Sequence, residues 1–147
     1  MIAHARTGRA GQTLVEFAVV TVITVIMLLF VVEMGRTILV YTAVANAARA
    51  GLRYAIVHGS SRAVGATMNS ASGPAGNPAQ ILTVISDFAG AGALTTSLLI
   101  VSVTYPGSSN APGQNVKITV VYPYNPLTTY FSKSLLLGTA TQGVIVY

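Results

Sequence analysis

The feature that most constrains this chain is an unbroken apolar run at residues 17–32. The run is sixteen residues long, and Thr21 and Thr24 are its only polar members. A threonine hydroxyl can bond to a helical carbonyl one turn back, so neither residue breaks a helix. Extended to residues 14–34, the segment reaches the roughly 17–25 residues that a helix needs to cross a bilayer. The sequence therefore predicts a membrane-spanning helix near the N-terminus.

Charged side chains are scarce along the whole chain. They make up 7% of the 147 residues, against about 25% in an ordinary soluble domain. Eight basic and three acidic residues are too few to cover the surface of a soluble monomer of this size. An apolar content of 52% is also too high for a disordered chain. The protein therefore keeps much of its surface out of water, in lipid, in neighbouring subunits, or in both.

The residue types that catalysis and metal binding need do not come together in this sequence. There is no cysteine, which excludes disulfides and thiolate metal sites. His4 and His58 stand far apart without companions, and the segment 132–134 lacks the spacing of a serine–lysine nucleophile motif. The formal net charge is +5, but the basic residues form no cluster of the kind that tracks a nucleic-acid backbone. We therefore predict no enzyme activity, no cofactor, no metal and no nucleic-acid partner.

Composition divides the chain into four segments. Residues 1–11 are short, polar and basic, and residues 12–58 contain no proline and predict one long helix. Residues 59–79 are rich in Gly, Ser, Asn and Pro, which is typical of a loop. Residues 80–147 predict a short helix followed by three strands. This order indicates an α+β protein, with a long N-terminal helix packed on a small antiparallel sheet.

The second half of the long helix is amphipathic rather than apolar all round. One stripe at helical spacing combines the small and large apolar residues expected to face a core. Its members are Tyr41, Val44, Ala45, Ala48, Leu52 and Ala55. Asn46, Arg49 and Arg53 form a neighbouring polar stripe, either solvated or bonded to carbonyls of the sheet.

The strands are predicted from alternating apolar and polar residues. They cover residues 98–105, 115–122 and 135–147. Pro123 and Pro126 are expected to end the second strand. A bulge or kink is expected in the third strand, at Gly138 or Gly143.

A short motif marks the junction between the basic segment and the long helix. It reads Gly11-Gln12-Thr13-Leu14-Val15-Glu16-Phe17, with a small residue first and a lone carboxylate just before the apolar run. This motif resembles the class III prepilin peptidase site of type IV pilins. The resemblance implies cleavage between Gly11 and Gln12, which leaves Glu16 as the fifth residue of the mature chain.

Two further stretches extend the resemblance. Glu33-Met34-Gly35-Arg36 and the run from Asn46 to Ala55 are similar to the helix of TadE-like pilins and pseudopilins of tight-adherence pilus systems. The segment 116–127 is also similar to the C-terminal region of that family. Leu52 departs mildly from the family, which often continues Gly-Ala-Arg at this point.

The resemblance implies a structural subunit, major or minor, of an extracellular type IV-like pilus used for surface attachment. Such a subunit is inserted in the bacterial inner membrane, cleaved after a basic prepilin leader, and polymerised through its apolar helix. Its partners would be membrane lipid, the prepilin peptidase, the pilus assembly machinery and further copies of itself. The residues implied in axial register are Gln12, Glu16 and Phe17. Those expected in helix packing and subunit contacts are Glu33, Arg36, Tyr41, Ala48, Arg49, Leu52 and Arg53.

Simpler explanations exist for two of these groups. Thr13 and Glu16 have the spacing of a capping box, which would give Glu16 a role in helix initiation without any partner subunit. Glu33 and Arg36 are three residues apart, the spacing of an intrahelical salt bridge worth a few tenths of a kcal/mol.

Two other classes of protein compete with a pilin. One is a monomeric membrane protein with a single span and a small extracytoplasmic binding domain. The other is a secreted protein with a cleavable signal peptide. The second class is disfavoured because the nearest suitable cleavage motif, Ala43-Val44-Ala45, lies too far beyond the apolar run.

Overall fold

The computed structural model describes residues 7–58, 71–72, 79–107, 111–127 and 134–146. The helices are α1 (Thr7–His58) and α2 (Ala79–Ala91), and the strands are β1 (Ala71–Ser72), β2 (Ile100–Thr104), β3 (Asn115–Tyr124) and β4 (Leu135–Val144). The α+β class predicted from the sequence is confirmed. The chain divides into two compact units, Met1–Arg36 and Thr37–Tyr147.

The described residues of the first unit form the N-terminal part of α1. The Thr21 and Thr24 hydroxyls donate to the carbonyls of Phe17 and Val20, both at 2.8 Å, so each polar side chain is satisfied within the helix. The helix already includes Thr7, five residues before the predicted start. Thr13 therefore lies inside the helix and does not occupy an N-cap position, and the capping-box explanation of Glu16 is wrong for the uncleaved chain.

A four-stranded antiparallel sheet with the order β1-β2-β3-β4 forms part of the second unit. The three predicted strands are present, and β1 adds a fourth from within the predicted loop 59–79. Ala71 and Ser72 pair with Val103 and Ser102 of β2. Two residues are too few to show alternation, which is why the sequence did not indicate this strand.

β3 continues through Pro123 to Tyr124 instead of ending before it. Its pairing with β2 stops at Val121, whereas its pairing with β4 continues to Tyr124. Pro123 therefore lies where β3 has only one paired neighbour. A proline is tolerated there because its missing N–H removes no ladder bond.

β4 contains neither the bulge nor the kink expected at Gly138 or Gly143. Its pairing with β3 is continuous from Asn115↔Val144 to Tyr124↔Leu135. A Cβ on Gly143 would lie 2.6 Å from Ile56 Cδ1, so this glycine lets the helix approach the strand. β3 is the only strand paired with β4 in the part of the chain that the structure describes, and β4 carries no charge and no proline.

The core of the second unit lies between the sheet and the two helices. Alternate residues of the sheet face inward, as the sequence predicted for β2 and β3. The buried strand residues include Val101, Val103, Val116, Ile118 and Val120. α1 contributes small side chains, among them Val44, Ala47, Ala48 and Ala55. α2 contributes Ile81, Leu82 and Ile85.

Small residues let the elements of this unit approach one another closely. A Cβ on Gly51 of α1 would collide with the Ile85 side chain of α2, and one on Gly92 would lie 2.8 Å from the Ala43 Cβ. These contacts offset the intrinsic cost of glycine in a helix. The end of α1 is also fixed by the chain after β4, because the Val146 N–H donates to the Ile56 carbonyl at 3.0 Å. That carbonyl is one of the last four of α1, which have no partner within the helix.

Candidate functional site

The N-terminal part of α1 presents apolar side chains on every side. Residues 11–32 are all exposed, and Phe17, for example, is 71% exposed. By length and composition the helix is able to cross a membrane, and none of its most apolar window is buried within the chain. Such a surface needs lipid or other protein to cover it, because the hydrophobic effect opposes its contact with water.

The residues of the predicted processing site lie on consecutive turns of this helix. Gly11, Gln12 and Glu16 are exposed. A Cβ on Gly11 would meet no atom within 4 Å, so packing in this chain does not require a glycine there. Glu16 stands between Leu14, which is 70% exposed, and Phe17. A single carboxylate is thus held within an apolar surface.

Glu33 and Arg36 lie near the end of the first unit. Glu33 is buried, with 9% of its surface exposed, and Arg36 is half-buried. Each takes part in a polar or electrostatic interaction within the chain. Their spacing of three residues is the one at which an intrahelical pair can form.

In the second unit, an open groove runs between α1 and α2, with a volume of about 1130 Å³. Its floor includes small residues such as Ala43 and Ala50. Arg49 and Arg53 stand along the α1 side, and Val84 and Phe88 along the α2 side. The groove therefore combines an apolar wall with a basic one.

The basic wall has no acidic partner among the residues that line the groove. Arg49 Nη1 donates to Asn46 Oδ1 at 3.4 Å, which is a long bond to a neutral acceptor. Arg53 is exposed and makes no hydrogen bond or ion pair with the described residues. The predicted bonds from these arginines to sheet carbonyls are not present among those residues, and the polar stripe faces outward.

The other predicted packing residues differ in their surroundings. Ala48 is fully buried, and its carbonyl accepts a hydrogen bond from the Thr141 hydroxyl at 3.4 Å. Leu52 is half-buried against the core. Tyr41, which the periodicity placed on the same face, is 46% exposed. At the C-terminal end of the groove, the His58 ring stacks on Tyr54 with centroids 4.3 Å apart.

Sequence reasoning missed the α2 side of the groove. Phe88 continues the helical spacing of the apolar residues of α2, but it is 55% exposed. Only the position of α1 against α2 shows that Phe88 flanks the arginine stripe, and no local pattern carries that information. Gly92 and Gly51 offered a weak signal, because a glycine within or beside a helix often marks a close approach.

Among the described residues, no group of three or more His, Asp or Glu side chains is close enough to hold a metal ion. What the described residues do present is a large exposed apolar surface on the N-terminal part of α1. The class that the fold defines is an α+β protein whose long N-terminal helix is apolar and long enough to cross a membrane.

The comparisons with known proteins relate part of the chain to a family. Residues 11–53 match the family model described as TadE-like protein. The match spans the motif at Gly11 and the basic wall of the groove, and it confirms the resemblance inferred from the sequence. A TadE-like segment links the chain to tight-adherence pilus systems. Neither the curated proteins nor the solved structures gave a significant match.

Proposed function

We propose that the chain is a pilin-like structural subunit of a tight-adherence pilus. In this proposal the precursor is held in the inner membrane by α1, cleaved between Gly11 and Gln12, and polymerised into an extracellular filament, as a major or minor subunit. The observation that carries the proposal is the fully exposed apolar surface of residues 11–32, which lies within the TadE-like segment and contains one carboxylate.

The surroundings of Gly11 support cleavage. The glycine has open space around it and lies within α1, so neither packing nor a turn accounts for a residue that weakens a helix by about 1 kcal/mol. A small residue next to a peptide bond does suit a peptidase, which has to bind the backbone closely. Because the bond lies inside the helix, the segment around it has to unwind before cleavage.

The position of Glu16 supports polymerisation. A carboxylate in a bilayer-length segment costs about 2.5–3.5 kcal/mol near the membrane centre and less near the interface. Cleavage at Gly11 would create a free α-amine on Gln12, and Glu16 of a neighbouring subunit could pair with it. That pair would fix the axial register of subunits whose apolar helices otherwise slide freely against one another.

The test of the proposal is the intact mass of the protein from its native host, measured in the membrane fraction and in filaments sheared from the cell surface. The expected result is a chain beginning at Gln12, enriched in the sheared fraction. A chain that keeps residues 1–11 and stays monomeric in the membrane would overturn the proposal. It would favour the alternative of a single-span membrane protein with a small extracytoplasmic binding domain.

A further inference from the structure

The groove of the second unit and the carboxylate beside it form one surface with both signs of charge. We call this surface, made of Arg49, Arg53, Asp87 and Phe88, the α1–α2 face. Asp87 is exposed, and it occupies the same stripe of α2 as the groove residues Val84 and Phe88. Within the described residues it makes no ion pair, and neither does Arg53. The surface therefore holds opposite charges that do not neutralise each other inside one chain.

The contacts between the helices determine the level of each charge. Gly51 of α1 lies against Ile85 of α2, and Ala43 lies against Gly92. The two helices are therefore antiparallel. Moving along the chain from residue 85 to residue 92 corresponds to moving back along α1 from residue 51 to residue 43. By this correspondence Asp87 is level with Arg49, on the opposite side of the groove.

We propose that two copies of the chain pair through their α1–α2 faces, around a two-fold axis parallel to α1. Such an axis keeps every residue at its own level. Asp87 of one copy then lies beside the partner subunit's Arg49, and Phe88 enters the partner's groove. The result is a four-helix arrangement in which each α1 packs beside the other copy's α2.

Three properties of the surface favour a second copy as the occupant. The face contains both the cations and the anion, so it is complementary to itself. Large apolar residues that line the groove are exposed in the single chain, including Leu39 at 70% and Phe88 at 55%. The axis also leaves both α1 helices pointing in the same direction, as two copies anchored in one membrane require.

The extent of the face determines where pairing takes place. α2 has 13 residues, which corresponds to a length of about 20 Å. A contact of that length is small for a stable dimer in dilute solution. Anchoring in a membrane raises the local concentration of the chains, and weak pairing then becomes effective. The pairing requires neither cleavage at Gly11 nor a filament, so it goes beyond the proposed function and can be tested separately.

The test uses the uncleaved full chain in lipid vesicles, without peptidase or assembly proteins. Phe88 is replaced by benzoylphenylalanine, the vesicles are irradiated, and the products are separated by mass. The expected product is a covalent dimer in which residue 88 is attached to the 46–53 segment of the other copy. Digestion and mass spectrometry locate the attachment, and a mixture of light and isotopically heavy chains identifies the links between copies.

Charge reversal tests the role of Asp87 and Arg49 in the same background. Asp87→Lys or Arg49→Glu alone places like charges opposite each other and is expected to lower the dimer yield about tenfold. The double variant Asp87→Lys with Arg49→Glu restores the pair in reversed order, and the yield is expected to recover to within about twofold of the parent. Lys117→Glu, an equal change of charge on an exposed strand residue outside the groove, leaves the yield unchanged.

Several results would overturn the pairing. These are a chain that stays monomeric at every protein-to-lipid ratio, attachment of residue 88 outside the other copy's α1, and a double variant that is no better than either single one. An equal loss with Lys117→Glu would also overturn it, because the effect would then be one of net charge. All of the altered side chains are exposed, and an unchanged far-ultraviolet circular dichroism spectrum shows that the variants are folded. None of these outcomes decides whether Gly11 is a cleavage site.

Discussion

The two halves of α1 differ in the size of their side chains and in how much of their surface is buried. In residues 11–32 the apolar side chains other than Ala18 are β-branched or bulky, and they surround the helix and are exposed. In residues 37–58 one face is lined with alanine and glycine and is buried against α2 and the sheet. Bulky residues all round suit a surrounding of lipid or of many neighbours, whereas small residues on one face allow a fixed approach at one distance. The first half is thus uncovered in the single chain, whereas one face of the second half is already packed.

The largest effect is expected from a substitution of Gly11, at the proposed cleavage site of the first half. Gly11→Leu should leave the precursor uncut in the membrane, because the bulky side chain obstructs the backbone at the peptidase. The measurement is the intact mass of the chain after expression with the peptidase. Gly35→Leu is a matched control, since Gly35 is also a helical glycine with open space around it. Trimming of Gly11→Leu to Gln12 would show that the site has been misassigned.

The next largest effect is expected on filament assembly through the uncovered first half of α1. Glu16→Gln keeps the size of the side chain but removes its charge, so the proposed partner, the Gln12 amine, is left alone in a filament core. An unpaired buried charge costs roughly 3–5 kcal/mol. The variant should be inserted and cleaved normally yet form few or no filaments, as measured by comparing sheared with membrane-retained protein. Thr21→Val, a change of similar size in the same segment, should assemble normally. Normal filaments from Glu16→Gln would exclude an essential role for its charge.

Three truncations to alanine compare the stability contributed by buried, half-buried and exposed apolar side chains of the two units. Ile85 is fully buried against Gly51, so Ile85→Ala should lower the free energy of unfolding of the second unit by about 2–5 kcal/mol. Leu29 is half-exposed, so Leu29→Ala should lower the free energy of unfolding by less than about 0.5 kcal/mol. The half-buried Leu52 should fall between them on Leu52→Ala. Denaturant titration of the full chain in detergent, followed by near-ultraviolet circular dichroism, measures all three. An equal loss of stability from Ile85→Ala and Leu29→Ala would contradict the contrast between a packed and an uncovered surface.

The smallest expected effect is a response to alkali that is confined to the second unit. Burial raises the pKa of the Tyr105 phenol above its ordinary value of about 10, because the site disfavours the phenolate. This contribution to stability is complete below the unfolded-state pKa and is lost as the pH rises through the folded-state pKa. Tyr105→Phe should therefore make the free energy of unfolding less sensitive to pH above about 10. The exposed Tyr41 provides the control, and an equal effect of Tyr41→Phe would contradict the assignment.

The sequence predicted the parts of the fold that follow from local periodicity. The long helix, the short helix and the inward faces of β2 and β3 all came from patterns spanning a few residues. β1 and the passage of β3 through Pro123 were missed, because both depend on which strand lies alongside. Whether a proline interrupts a strand depends on the neighbour at that position, and the neighbour is distant in sequence.

The candidate site was predictable in its first half only. The motif at Gly11 and the apolar run are contiguous, so they could be recognised in the sequence. The α1–α2 face combines residues 49–53 with residues 87–88, and the distance between them is set by Gly51 and Gly92. No pattern within either segment indicates the other.

The outer edge of β4 is open to pairing with other chains. Ten uncharged residues without a proline or a bulge offer open hydrogen-bonding groups along an edge that no described strand covers. Edges of this kind recruit other extended chains indiscriminately. In the proposed function, newly made copies wait in the membrane, and this edge exposes them to misassembly for as long as they wait. Misassembly increases with the time that copies wait and with their concentration. We therefore expect selection to favour rapid incorporation of the chain as well as a stable fold.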